Sequence, residues 1–393
     1  MTYGTEVAFK SIPDGSIEES YKDGIISCAY SREWIEENQD YPTLLNNFIY
    51  LFQYVDRCFR CTFVSLQNEL GVMERILGAK GKRDYLHGVA FNSKQVLSML
   101  QMAGYGQELQ RINIRVEDIF KWFFEEYLKD EFGANGFTYS PPSEGTTTAE
   151  KCKLLSSAID GVLKQFRLYC EDGFVDRELL EMSSEHINFS QLTGMLDRKY
   201  IYPNSDDLRK EMYLLFSDQS MMNYTKKTSS QYQTLPQLLL SEKMMREDFA
   251  EYQHRELDWL IQRSSVNESE DGILSPNVYR VCVLKDLFIN EVICPRYYDS
   301  KLFEQVEILE KAGDLRYGNT LFSETEQKYL NYVLNKSEFS NGLDLRNRYI
   351  HDTNSLDEKT QNQDYLELQK IMVLIIVKIN EEFCLKASTA SNS

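Results

Sequence analysis

The feature that most constrains this fold is an apolar run near the C-terminus. Residues 371–377 read IMVLIIV and are followed by Lys378. A helix built from this run is apolar on all sides, so it must be buried on all sides. The run is much shorter than the roughly 20 residues that a bilayer-spanning helix needs, so we expect no membrane association. We predict a helix from about 364 to 385 at the centre of a bundle, or between a bundle and a second subunit.

The remainder of the chain also favours helices. Only eight of its 393 residues are proline, and long stretches consist of helix formers. Residues 41–59 and 116–130 place their apolar side chains on one helical face, and residues 235–263 predict one long helix. Residues 1–30 predict an irregular lead-in, and no series of short alternating strands is evident. The predicted fold class is mostly α, a multi-helix bundle.

One segment breaks the helical pattern and is the best candidate for a linker. Residues 132–149 read FGANGFTYSPPSEGTTTA, which is rich in Gly, Ser, Thr and Pro. We predict an N-terminal helical region (residues 1–131), this linker (132–149), a middle helical region (150–230), a C-terminal helical domain (235–386) and a disordered tail (387–393).

The charge and the cysteines restrict the function classes. The net charge is −18, which excludes a uniformly basic nucleic-acid binder but leaves room for a local basic site. The first ten residues show neither the basic start nor the apolar run of a secretory signal, and the eight cysteines are scattered. We therefore expect a reduced, cytoplasmic protein.

The segment LDLRNRYIHD, residues 343–352, carries the candidate chemistry. Asn347 and His351 are four residues apart, so on a helix they share a face. Arg346 is rotated by about 100° from Asn347, but its long side chain can reach the same cleft. An imidazole can take a proton from a hydroxyl and return one to a leaving oxygen. A guanidinium binds phosphate and stabilises the charge of the transition state.

These groups suit cleavage of RNA. The RNA 2′-hydroxyl is a built-in nucleophile, so the reaction requires no metal, and an asparagine amide can orient the imidazole or bind a phosphate oxygen. The plainer alternative is a solvated helical face, on which Arg348 and Asp352 form an i,i+4 salt bridge. An arginine and a histidine at this spacing also occur by chance.

Two other motifs point weakly to metals. Cys58 and Cys61 form a lone C-x-x-C, and a zinc site needs a second pair. We interpret them as two buried thiols on one helical face. Glu251 and His254 match the E-x-x-H spacing of di-iron bundles, but no second copy exists. A helical metalloenzyme is therefore a weaker hypothesis than a surface face with salt bridges.

The C-terminal motif resembles the HEPN (higher eukaryotes and prokaryotes nucleotide-binding) family. Its hallmark is R-x(4–6)-H, often with Asn, His or Asp after the Arg, and here it reads RNRYIH over residues 346–351. The preceding ETEQKYLNYVLNKSEFSNGLDLRN is also similar to bacterial HEPN proteins. The similar helical layout extends over residues 235–386, whereas residues 1–230 resemble no family that we can name. Asp352 stands where many relatives carry Gly.

The resemblance implies a fold, a partner and an activity. HEPN domains are helical bundles that usually pair about a two-fold axis, with the two Arg/His sets in one cleft. Many are metal-independent endoribonucleases that leave a 2′,3′-cyclic phosphate and act as toxins or antiphage effectors. By this resemblance Arg346 stabilises the phosphate, His351 is the general acid or base, Asn347 assists and Arg348 contacts substrate. No cofactor or metal is implied.

The expected function is therefore a HEPN-type endoribonuclease with an RNA substrate, acting as a homodimer through the C-terminal domain. Pairing would bring two copies each of Arg346 and Arg348 together and focus positive charge locally in an acidic protein. The alternative is a non-catalytic scaffold in which the HEPN-like domain dimerises or binds a regulatory protein partner.

Overall fold

A computed structural model of the chain describes residues 4–12, 15–71, 74, 81, 83–182, 186–228 and 231–391. About 56% of the chain is helical and the sheets are small, so the protein is mostly α as predicted. In the described part of the chain, no helix is both long enough and apolar enough to cross a membrane.

The chain forms two compact units. Unit 1 comprises Met1–Asp197 and Asn319–Ser393, and unit 2 comprises Arg198–Gly318. Unit 2 is thus inserted between two segments of unit 1. The predicted C-terminal domain, residues 235–386, includes parts of both units. The predicted boundaries at 131, 149 and 230 do not coincide with the observed ones.

Unit 1 begins with a three-stranded sheet where an irregular lead-in was predicted. Its strands are Gly4–Lys10 (β1), Ile17–Lys22 (β2) and Ile25–Ser31 (β3), in the order β1-β3-β2. β1 runs parallel to β3, and β2 runs antiparallel to it. Asp23 and Gly24 connect β2 to β3 with φ values of 53° and 85°. Positive φ at both turn positions matches the right-handed twist of the two strands.

Most of the other regular structure of unit 1 is helical. The helices span Arg32–Glu37, Tyr41–Tyr50, Val89–Arg111, Val116–Trp122, Leu128–Phe132, Thr148–Asp172, Arg177–Met182, Glu324–Leu334, Leu345–Ile350 and Glu358–Ser391. A π-helical turn, Phe123–Tyr127, connects the fourth and fifth of these. We call Glu358–Ser391 the central helix, Thr148–Asp172 the flanking helix and Leu345–Ile350 the motif helix.

The central helix confirms the prediction from the apolar run. Every residue from 367 to 379 is buried, and the side chains of residues 371–377 are at most 2% exposed. The central helix packs against the flanking helix and against Val89–Arg111. The helix extends to Ser391, into the predicted disordered tail; residues 392 and 393 lie outside the described part.

Two lysines of the central helix are fully buried and paired. Lys378 Nζ lies 3.3 Å from Glu326 and 3.2 Å from Glu381. Lys370 Nζ lies 2.8 Å from the Gln95 side-chain oxygen and 3.1 Å from Glu367. Burial lowers the pKa of Lys370, and Glu367 opposes that effect. These contacts allow charged residues to lie in an otherwise apolar core.

The predicted linker lies inside unit 1. Residues 133–147 form neither helix nor strand, but Ala134, Phe137 and Tyr139 are buried in the core. Gln165 of the flanking helix accepts from the Thr138 N–H at 2.7 Å and donates to its carbonyl at 3.1 Å. This irregular segment is therefore packed against the bundle and does not separate the two units.

Unit 2 has its own core, two small sheets and five helices among its described residues. Tyr200–Pro203 (β4) pairs with Leu315–Gly318 (β8), and Met244–Met245 (β5), Val266–Glu268 (β6) and Ile273–Pro276 (β7) form the order β5-β7-β6. The helices are Asp206–Phe216, Leu235–Ser241, Glu251–Gln262, Val278–Asn290 and Ser300–Lys311.

The single helix predicted for residues 235–263 is wrong. β5 interrupts it, because Met244 and Met245 pair with β7. The second helix then has a start of its own, where the Ala250 N–H donates to the Gln253 side chain at 2.7 Å. Backbone groups at both ends of the interruption are thereby satisfied.

Candidate functional site

The motif helix lies in unit 1 against the flanking helix. It begins after Asp344, which has φ 58°, and ends at His351, whose N–H donates to the Asn347 carbonyl at 3.0 Å. Leu345 and Tyr349 are buried and hold it on the core. Asn347 and His351 are thus joined through one helical turn, as their spacing predicts.

Arg346 lies beneath the surface, and its side chain is 7% exposed. Its Nη1 is 3.4 Å from an oxygen of Asp160 on the flanking helix. Its Nη2 donates to the side-chain oxygen of Asn347 at 3.4 Å. The buried Nε has no hydrogen-bonding partner among the described residues. The guanidinium therefore has a carboxylate counter-ion and an unused donor.

A second imidazole, which sequence reasoning missed, contacts the same carboxylate. His186 Nδ1 lies 3.3 Å from the other oxygen of Asp160. The His186 side chain is 61% exposed, whereas that of Asp160 is 13% exposed. Asp160 therefore connects a buried guanidinium to a solvent-facing imidazole. Neither residue belongs to a recognisable sequence motif, so no local signal could have identified them.

His351 is exposed at the C-terminal end of the motif helix. Within the described residues its imidazole has no hydrogen-bonding partner. The Asn347 amide donates to Asp344 at 2.8 Å, and its oxygen accepts from Arg346. The Asn347 side chain therefore contacts Arg346 and the residue before the motif helix. It does not contact the His351 ring, which remains accessible to a ligand.

Arg348 joins a different carboxylate. Its Nη2 lies 3.3 Å from Asp364 of the central helix, and the Tyr349 hydroxyl donates to the same oxygen at 2.8 Å. Burial raises the pKa of Asp364, and these two contacts oppose that shift. The alternative in which Arg348 pairs with Asp352 is wrong, because Asp364 is the partner. The Arg348 side chain keeps 26% of its surface exposed.

Asp352 directly follows His351 and turns the chain, with φ 54°. Lys153 of the flanking helix places its ammonium 3.2 Å from this carboxylate. Both side chains are exposed, so the contact contributes little stability. It nevertheless places a positive charge beside the carboxylate that directly follows His351 in the sequence.

The two weaker motifs lie elsewhere. Cys58 and Cys61 lie in a turn at Phe59, which has φ 56°, and not on the predicted helical face; Cys61 is buried and Cys58 is half-buried. Glu251 and His254 lie on a helix of unit 2. Across the described ranges, no three His, Cys, Asp or Glu side chains are grouped as a metal ion requires.

The site thus contains a solvent-facing imidazole at the end of a helix, a shielded guanidinium in the same helix and a second imidazole connected to it through a carboxylate. Imidazoles can exchange protons near neutral pH, and a guanidinium attracts phosphate. Comparisons with protein-family models, curated proteins and solved structures found no match to this chain.

Proposed function

We propose that the chain is a metal-independent endoribonuclease of the HEPN type, acting in the cytoplasm as a toxin or antiphage effector. The observation that carries the proposal is the exposed imidazole of His351, which has no hydrogen-bonding partner among the described residues, at the end of the helix that holds Arg346. The other support is the resemblance of residues 346–351 to the HEPN motif. In the proposed reaction the RNA 2′-oxygen attacks the adjacent phosphorus, and the bond from phosphorus to the 5′-oxygen breaks.

His351 would exchange the proton in this reaction, because its ring is exposed and has no competing partner in the part of the chain that the structure describes. Arg346 would stabilise the charge on the phosphate. In the free chain Asp160 is its counter-ion, and a bound phosphate would take over part of that contact. Asn347 assists by holding the guanidinium through Nη2. Arg348 and Lys153 supply two further cationic side chains on the partly exposed surface near the motif, each beside a carboxylate whose place a phosphate could take.

Pairing of two chains through this region is part of the proposal. The loop after the motif exposes 96% of Leu356, so an apolar side chain is available to a second chain there. Two motif helices at one interface would double the local positive charge. Such a focus would offset the repulsion between RNA and a chain of net charge −18.

The proposal predicts cleavage of total RNA by the purified chain in excess EDTA. Arg346→Ala is expected to lower the rate by about 10²–10³-fold, the usual effect of removing one donor that stabilises transition-state charge. Arg209→Ala is the control for loss of an arginine outside the motif, because Arg209 is a half-exposed arginine of unit 2. Circular dichroism confirms that each variant is folded.

Cleavage that survives chelation, is retained by Arg209→Ala and is lost in Arg346→Ala supports the enzyme. Equal cleavage by all three proteins would identify a contaminant, and dependence on Mg²⁺ would contradict the mechanism.

The second candidate function is a non-catalytic scaffold that dimerises or binds a protein partner. The contact between Arg346 and Asp160 favours it, because a shielded ion pair is also what a purely structural arginine would form. In that case Arg346→Ala would lower the free energy of unfolding, and the wild-type chain would leave RNA intact in every buffer.

A further inference from the structure

His186 is a titratable group beside the candidate site that the motif does not include. It lies 160 residues before Arg346 in the sequence, yet one carboxylate, Asp160, contacts both side chains. An exposed contact of this kind contributes about 0–1 kcal/mol of stability. The small contribution of this contact to the free energy of unfolding therefore does not explain why residue 186 is a histidine.

From this juxtaposition we infer that His186 is a second proton-transfer residue of the site, the general base that accepts the 2′-hydroxyl proton of RNA. The inference rests on the proposed function and deepens it by dividing the two proton transfers between two different imidazoles. His351 is then the general acid that protonates the leaving 5′-oxygen.

The contact with Asp160 determines which ring nitrogen is available. A carboxylate can only accept hydrogen bonds, so Nδ1 of His186 carries the hydrogen that points to Asp160. The neutral ring then keeps its lone pair on Nε2, away from that contact. With 61% of the side chain exposed, Nε2 is accessible to a hydroxyl of a bound ligand. This is the orientation that a carboxylate gives to a basic imidazole.

Asp160 also couples the proton transfer to binding of the phosphate. In the free chain its negative charge is balanced by Arg346. When a phosphate takes over part of the guanidinium, Asp160 loses part of its counter-ion. The His186 imidazolium, formed by accepting a proton, then replaces that lost positive charge. Asp160 is therefore available to contact and stabilise the His186 imidazolium when the substrate is in place.

Two proton transfers accompany the exchange of bonds at phosphorus. The 2′-oxygen forms a bond to phosphorus as its proton moves to Nε2 of neutral His186. The bond from phosphorus to the 5′-oxygen breaks, and the protonated His351 ring donates its proton to that oxygen. The products are a 2′,3′-cyclic phosphate and a 5′-hydroxyl, and proton exchange with water resets both rings.

The charged groups near the two imidazoles are consistent with His186 as the base and His351 as the acid. Among the described residues, Asp160 is the charged group at hydrogen-bonding distance from His186, and it stabilises the imidazolium that a base becomes. His351 has Asp352 as its sequence neighbour, and Lys153 lies against that carboxylate. Within the described ranges, the His351 ring therefore makes no carboxylate contact comparable to that of His186.

The experiment measures single-turnover cleavage of a defined RNA in EDTA from pH 5 to pH 9. For the wild type we expect a bell-shaped profile, since one imidazole must be neutral and the other protonated. His186→Gln is expected to lower the maximal rate by about 10²-fold or more and to remove the decline toward low pH. Added imidazole is expected to restore part of the rate of His186→Gly.

Asp160→Asn is a second variant that keeps the shape of the side chain. It should lower the rate and move the acidic limb of the profile to lower pH, because the amide no longer stabilises the His186 imidazolium. If His186→Gln cleaves RNA at the wild-type rate and with the wild-type pH profile, this inference is overturned, but the proposed ribonuclease function is not. Absence of cleavage by the wild type at every pH would overturn both.

Discussion

Replacement of His351 by glutamine is expected to reduce the rate of RNA cleavage by about 10²–10⁴-fold, the range for loss of a general acid or base. Glutamine keeps the polarity and approximate size of the side chain but cannot exchange a proton near neutral pH. Because His351 is exposed, the free energy of unfolding should change by no more than about 0.5 kcal/mol. Single-turnover kinetics and urea unfolding measure the two quantities separately.

His254→Gln is the matched control for this variant. It removes a histidine from unit 2, on the helix Glu251–Gln262, and should leave the cleavage rate unchanged. An equal rate for His351→Gln and the wild type would remove His351 from the mechanism. A rate that falls in proportion to the folded fraction would assign it a structural role.

The second large effect concerns stability. Ile375→Ala is expected to lower the free energy of unfolding by about 2–5 kcal/mol, because the side chain is fully buried and its removal leaves a cavity. Urea unfolding followed by circular dichroism measures the change.

Leu240→Ala is the control for that substitution. It also shortens a long apolar side chain, but Leu240 is 67% exposed, so its cost should stay within about 0.5 kcal/mol. If Ile375→Ala costs no more than Leu240→Ala, the central helix is not the packed centre of unit 1.

The central helix could be predicted from sequence because its signal is local. In water, a helix that is apolar on all sides must be buried on all sides, and residues 371–377 are buried accordingly. The partners of Lys370 and Lys378 could not be predicted in this way. They include Gln95 and Glu326, which are far away in the sequence and reach these lysines through tertiary packing.

The small sheets show a different limit. The turn at Asp23 and Gly24 carries a sequence signal for a hairpin, since both residues tolerate positive φ. β2 and β3 nevertheless lie where an irregular lead-in was predicted. The interruption of the predicted helix 235–263 depends on β5 pairing with β7, a non-local contact that propensity cannot reveal.

For the site, spacing predicted the motif helix but not its surroundings. The four-residue separation of Asn347 and His351 corresponds to an observed helical hydrogen bond. The carboxylate that contacts Arg346 is that of Asp160 on the flanking helix. The second imidazole is that of His186, which follows this helix in the sequence. Tertiary packing brings these two residues to the site, so a linear sequence motif does not include them.

The measurement that tests the central claim most directly is analysis of the cleavage ends. A defined single-stranded RNA is incubated with the wild-type chain in EDTA, and the products are identified by mass spectrometry. Attack by the 2′-hydroxyl predicts 2′,3′-cyclic phosphate and 5′-hydroxyl ends, and no cleavage of the same sequence made with 2′-deoxynucleotides. Products with 3′-hydroxyl and 5′-phosphate ends, equal cleavage of the deoxy strand, or intact RNA would contradict the account.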